Sequence, residues 1–130
     1  MRITAILGLG LLASTQAVAM GNGCPQGQTN YFNCSSPRVM TLCGLPDGSG
    51  LHLLLEGIKL GKGASYSAQQ LRPGTVAVGF DDDGVHYQLY DDESEQGLVI
   101  ETAKGKVDAL VCKGGHNSLQ ALAGRLPVAE

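Results

Sequence analysis

A two-residue rhythm of apolar and polar side chains runs from about residue 30 to residue 112, broken by a turn signal about every 6 to 12 residues. Such a rhythm sends successive side chains to opposite faces of a strand and excludes long helices. Leu51, Leu53 and Leu55 share one face, with His52 and Glu56 on the other. Val76, Val78 and Phe80 alternate with small residues, and Val85, Tyr87 and Leu89 alternate with His86, Gln88 and Tyr90. Residues 35–38, 45–50 and 72–74 are turn clusters, in which Pro presets φ and Ser or Asp bonds back to the backbone. Residues 81–84, three Asp and a Gly, make a tight hairpin turn, because Asp and Gly tolerate positive φ. Residues 57–74 are less regular, with a glycine-loosened loop over 60–67 leading into an edge strand, and residues 98–112 form a last hairpin. The pattern predicts seven or eight short strands in an all-β fold, an antiparallel meander forming a small curled sheet or barrel. One short helix is predicted, over residues 118–123, with Asn117 as its cap, Leu119 and Leu122 on one side and Gly124 as its stop.

The ends divide the chain. Arg2, an uncharged apolar run over residues 3–13 and the closing Ala17-Val18-Ala19 have the three parts of a secretion signal, so residues 1–19 are predicted to be cleaved. The apolar run is too short for a span, which takes about 20 residues, and no other segment is apolar enough to cross a membrane. Residues 20–115 then form one small β domain, and residues 116–130 a tail with the short helix. Loss of Arg2 leaves eight basic and twelve acidic residues, a formal charge of −4. With no basic stripe, no Trp and few aromatic residues, nucleic acid is not an expected partner.

Cys24, Cys34, Cys43 and Cys112 all lie beyond the predicted leader, and an even number in an exported chain implies two disulfides. Zinc ligands usually stand two to four residues apart, whereas nine, eight and 68 residues separate these cysteines. A four-residue turn over 35–38 places Cys34 opposite about Val39, which disfavours a Cys34–Cys43 bridge. Two pairings remain. Cys24–Cys43 with Cys34–Cys112 ties the first strand to the last and is preferred; the alternative is Cys24–Cys34 with Cys43–Cys112. Either long bridge would restrict the unfolded chain by roughly 4 to 5 kcal/mol.

Catalytic signals are absent from the sequence. His52, His86 and His116 lie in no nucleophile or metal-ligand motif, and His52 and His86 fall on the polar phase of their strands, the position of a solvated histidine. Oxidised cysteines are not nucleophiles. The expectation is a protein that is not an enzyme and carries no cofactor or metal. The sharpest feature is electrostatic: Asp81, Asp82, Asp83, Asp91, Asp92, Glu93 and Glu95 fall within 15 residues, with no Lys or Arg from Ala77 to Leu98. The two clusters sit at opposite ends of a strand about 20 Å long, too far apart for one chelating site. EF-hand spacing is not met, and a looser calcium site at Asp81–Asp83 is an alternative reading. The leading reading is a docking face for a basic partner, since opposed potentials speed encounter. A second candidate is the loop over 61–67, where glycines, Lys62, Ser65 and Tyr66 have the composition of a contact loop.

That loop carries a resemblance. Gly61, Gly63, Ala64 and Tyr66 match the spacing of an S-G-x-G-A-x-Y motif, with Leu60 in place of the Ser. In this, and in its export, cysteines and β meander, the chain resembles the small periplasmic β-barrel inhibitors of c-type lysozyme, which insert this loop into the lysozyme cleft. A second motif of those proteins, an aromatic residue followed by Lys-Gly, is not matched: Gly79-Phe80-Asp81-Asp82 has no lysine. The first hairpin, with Phe32-Asn33-Cys34 and a later Cys43, also resembles exported bacterial proteins with an F-x-C…C start, and immunity proteins of the periplasm share the same physical profile by analogy. The expectation is a periplasmic or secreted module that binds and inhibits a basic cell-wall hydrolase, a lysozyme or a peptidoglycan amidase. Lys62, Ser65 and Tyr66 would be contacts, and Asp81–Asp83 with Asp91, Asp92 and Glu93 would steer. The alternative from another class is a structural or accessory envelope protein.

Overall fold

The computed structural model describes residues 23–128; the predicted leader lies outside them. Among the described residues, ten strands form two antiparallel five-stranded sheets. The first sheet holds β1 (Thr29–Cys34), β2 (Met40–Gly44), β3 (His52–Leu55), β4 (Ile58–Leu60) and, returning beside β1, β10 (Gly115–Asn117), in the order β10-β1-β2-β3-β4. The second is a plain meander of β5 (Ser67–Arg72), β6 (Thr75–Asp82), β7 (Val85–Asp92), β8 (Gln96–Glu101) and β9 (Val107–Val111). The antiparallel meander is therefore as the sequence predicts, but the sheets do not close into a barrel. The chain crosses between them through residues 61–66 and again through 112–114, and the strands beside those crossings, β4 and β10, have three residues each. No ladder joins β4 to β5 or β9 to β10.

One apolar core lies between the sheets. Phe32, Met40, Leu42 and Leu53 enter it from the first, and Val76, Val78, Leu89 and Leu98 from the second, all with 0% exposure. A register shift between Asn30 and Phe32 breaks the alternation of β1. It turns the consecutive Tyr31 and Phe32 both inward, as a bulge can, and the Tyr31 hydroxyl donates to the Leu45 carbonyl at 2.6 Å. Helix α1 (Gln120–Ala123) starts two residues later than predicted. The Asn117 carboxamide oxygen accepts from the Leu119 amide at 3.2 Å, and Leu119 and Leu122 complete the core beside β5 and β6.

The preferred disulfide pairing is present: Cys24–Cys43 and Cys34–Cys112, each with Cα atoms 5.6 Å apart. Cys34 pairs across the ladder with Met40, one residue beyond the expected Val39, and Asn30 stands opposite Cys43. Cys34–Cys112 joins the end of β1 to the residue after β9, and so ties one sheet to the other. Cys24–Cys43 holds the first described residues across the outer face of the first sheet, where Gly23 lies against Thr41. The structure corrects the expectation for His52. Cross-strand neighbour of Cys43, His52 is 4% exposed rather than solvated. Burial, then the charges of Lys59 and Lys62, hold its imidazole below the ordinary histidine value, against a hydrogen bond with the Gly50 backbone that favours the proton.

Candidate functional site

The two sequence candidates, the glycine loop and the first acidic turn, meet at one end of the molecule. The β6–β7 turn is a two-residue Asp83-Gly84 connection, with φ of +54° and +79°, the conformation that a tight hairpin turn demands. Its strands place Asp82 beside the loop, where Oδ2 accepts from the Gly61 amide at 2.7 Å. The Gly61 carbonyl in turn accepts from the Tyr66 hydroxyl at 2.9 Å and from the Ala64 amide at 3.1 Å. Gly61 is thus gripped from both sides. Its φ of +72° and the closeness of the Phe80 ring leave no room for a Cβ, so glycine is a steric requirement here.

Tyr66, a predicted contact, is a correction. Its ring is 8% exposed and lies 4.7 Å from the Phe80 ring, which stacks on Tyr87 at 5.1 Å. Burial, then the Asp82 charge, pushes its phenol well above the ordinary tyrosine range. Tyr66 therefore shapes the loop from inside, and the exposed side chains of the loop are Lys62 and Ser65. The alternation of serines around Tyr66 resembled a surface pattern; the signal for its burial is Phe80, fourteen residues away, which the linear pattern does not pair with it. Asp81 and Asp83 are exposed, and Asp81 Oδ1 lies 2.7 Å from His86 Nδ1.

Beside the loop lies a cleft of about 170 Å³, between Gly48–Leu51 of the β2–β3 turn and Gly63, Ala64 and Tyr66, with Leu126 at its edge. Sequence reasoning missed it, because it is assembled from three distant segments. Asp47 at the same turn accepts from the Ser49 hydroxyl at 2.6 Å, a bond that lowers its carboxyl below the usual range.

Asp91, Asp92 and Glu93 sit at the other end of the β6–β7 hairpin. There Asp92 is held by Arg72 and Thr75, each at 2.9 Å. Asp91 accepts from the Glu93 amide at 3.2 Å. Glu95 accepts from the Tyr90 hydroxyl at 2.7 Å, and burial followed by this bond pushes the Tyr90 phenol up to about 12. A polar hollow of about 220 Å³ opens between these acids and Gly114–Gly115. Among the described residues, no three His, Cys, Asp or Glu side chains are grouped to hold a metal ion, and no helix is long and apolar enough to cross a membrane. The two disulfides fit an oxidising compartment, periplasmic or extracellular. No protein-family model, curated protein or solved structure matches this chain.

Proposed function

We propose that this is an exported, non-catalytic module that binds and blocks a basic cell-wall hydrolase through the end of the molecule carrying Lys62, Ser65, Asp81 and Asp83. One observation carries the reading: the Asp82–Gly61 hydrogen bond of 2.7 Å, which fixes the exposed loop against the acidic turn. A loop held in one conformation before encounter loses little freedom on binding. Asp81 and Asp83 next to it favour a basic surface, whose approach they accelerate. Asp91, Asp92 and Glu93 add to the negative field from the far end without touching the partner. The spacing of Gly61, Gly63, Ala64 and Tyr66, the one shared with the lysozyme-inhibitor motif, supports a lysozyme as the first hydrolase to try. The partner is a protein; the reading involves no cofactor.

The test is a lytic assay with purified, oxidised protein against a basic c-type lysozyme and a peptidoglycan amidase. Lysis of cell-wall suspensions slows in proportion to the added protein if the reading is right. Unchanged lysis by both enzymes at micromolar protein rules out inhibition.

A further inference from the structure

A sheet edge is a row of unpaired backbone groups, and proteins usually blunt it. Three of the four edges here are blunted. β4 and β10 have three residues each. β5 has a register shift between Gln70 and Arg72, and its Ala68 amide donates to the Pro127 carbonyl at 2.9 Å as the tail passes alongside. β9 differs. Its five residues pair with β8 without a register shift, and among the described residues no strand lies on its other side.

The ladder settles which groups of β9 are open. Thr102 donates to the Lys106 carbonyl at 2.9 Å and Cys112 to the Gln96 carbonyl at 2.8 Å. Antiparallel bonding alternates along a strand, so residues 108 and 110 also face β8. Val107, Ala109 and Val111 then direct their N–H and C=O groups to the open edge. All three are exposed, Val107 at 56% and Val111 at 42%.

Charge selects the occupant. Lys104 and Lys106 precede the strand and Lys113 follows it, against the single acid Asp108, so residues 102–113 carry a formal +2 in a chain of −3. A second copy of β9 laid antiparallel, Ala109 on Ala109, would set Lys106 near the copy's Lys113 and be repelled. We propose that β9 takes up an extended segment of another protein as a sixth strand of the second sheet, a segment with apolar residues at alternate positions and acidic residues at its ends. This is the strand-addition mode of peptide recognition, in which the backbone supplies affinity and the side chains the choice of partner. It is independent of the hydrolase-binding end.

The probe is a fluorescent peptide, EEVTVTVEE, with KKVTVTVKK as its counterpart, titrated against the oxidised protein by anisotropy. The acidic peptide binds saturably below about 100 µM, and the lysine peptide at least about tenfold more weakly. Ala109→Pro removes an N–H that faces the open edge and none that faces β8. It leaves the melting temperature nearly unchanged and weakens the acidic peptide at least about tenfold. Lys104→Glu, Lys106→Glu and Lys113→Glu together reverse the preference between the peptides, which decides the matter even if the proline variant fails to fold. No saturable binding of the acidic peptide up to about 1 mM overturns the proposal. Binding that depends on the lysines but survives Ala109→Pro in a folded protein overturns it in favour of a plain charged surface. Self-association of the wild type that the proline abolishes would make a second copy the occupant, and also overturns it.

Discussion

The two acidic turns of one hairpin use the same residue type in different ways. At the Asp83–Gly84 end, one carboxylate turns inward to grip the Gly61 amide, while Asp81 and Asp83 stay exposed. At the Asp91–Glu93 end, the carboxylates close their own turn and the neighbouring one, through Arg72, Thr75 and the Glu93 amide. One end spends a single acid on organising a loop, sets Asp81 against His86 and keeps Asp83 exposed. The other uses its acids mainly on itself. A run of acids in the sequence is therefore one electrostatic feature but two structural devices.

The largest effect that separates the ends comes from the sulfur chemistry. Cys34–Cys112 lies beside the Asp91–Gln96 end, where Cys112 donates to the Gln96 carbonyl. Replacing both cysteines by alanine removes a constraint across 78 residues, worth about 4.5 kcal/mol in the loop-entropy model. Denaturant melts should show that loss. Hydrogen exchange in the folded variant should rise at residues 91–96 and 112–115 and change little at 61–67. Equal loosening of both ends would mean that the bridge does not act on one end alone.

Two glycines also separate the ends. A Cβ at Gly61 would enter the buried Tyr66 hydroxyl and Phe80 ring, whereas the nearest atoms to one at Gly74 belong to the exposed Glu93 side chain, which can swing away. Both have positive φ. Gly61→Ala should cost about 2–4 kcal/mol through strain and overpacking together. Gly74→Ala should cost about 1–2 kcal/mol from the backbone alone. Comparable losses in the two melts would mean that the loop is not gripped as described.

The smallest of these effects is in the pH dependence. Burial holds the folded-state pKa of His52 below its ordinary value of 6.5, with Lys59 and Lys62 adding to the effect. A depressed folded pKa means that the contribution to stability is full above 6.5 and is lost as the pH falls toward and through the folded value. The melting temperature should therefore drop between pH 7 and pH 5, and His52→Gln should flatten part of that drop. His86, on the exposed Asp81 carboxylate, is the control, and His86→Gln should leave the His52 component in place.

Much of this was legible because strand pairing is local. Asp83-Gly84 announces its turn, Val85 to Tyr90 alternates as a half-buried strand does, and the register of the first hairpin keeps Cys34 away from Cys43. What was not legible depends on contacts between distant segments. β10 is a Gly-His-Asn segment with no strand propensity, held because it completes the ladder of β1. β4 follows a Glu56-Gly57 turn whose two positive φ values replace the usual Asn or Asp signal. His52 reads as solvated from its strand phase, yet it is buried beside Cys43 on the neighbouring strand. Tyr66 reads as a contact until Phe80 is brought beneath it.

The most direct test is a hydrogen-exchange footprint of the oxidised protein, alone and with saturating amounts of a basic c-type lysozyme and, separately, of a peptidoglycan amidase. With the enzyme that the protein inhibits, exchange should slow at residues 48–51, 61–67 and 81–84 and stay unchanged at residues 91–95. Slowing confined to 91–95 and 112–115, or no slowing with either enzyme, would mean that the loop end is not the binding face.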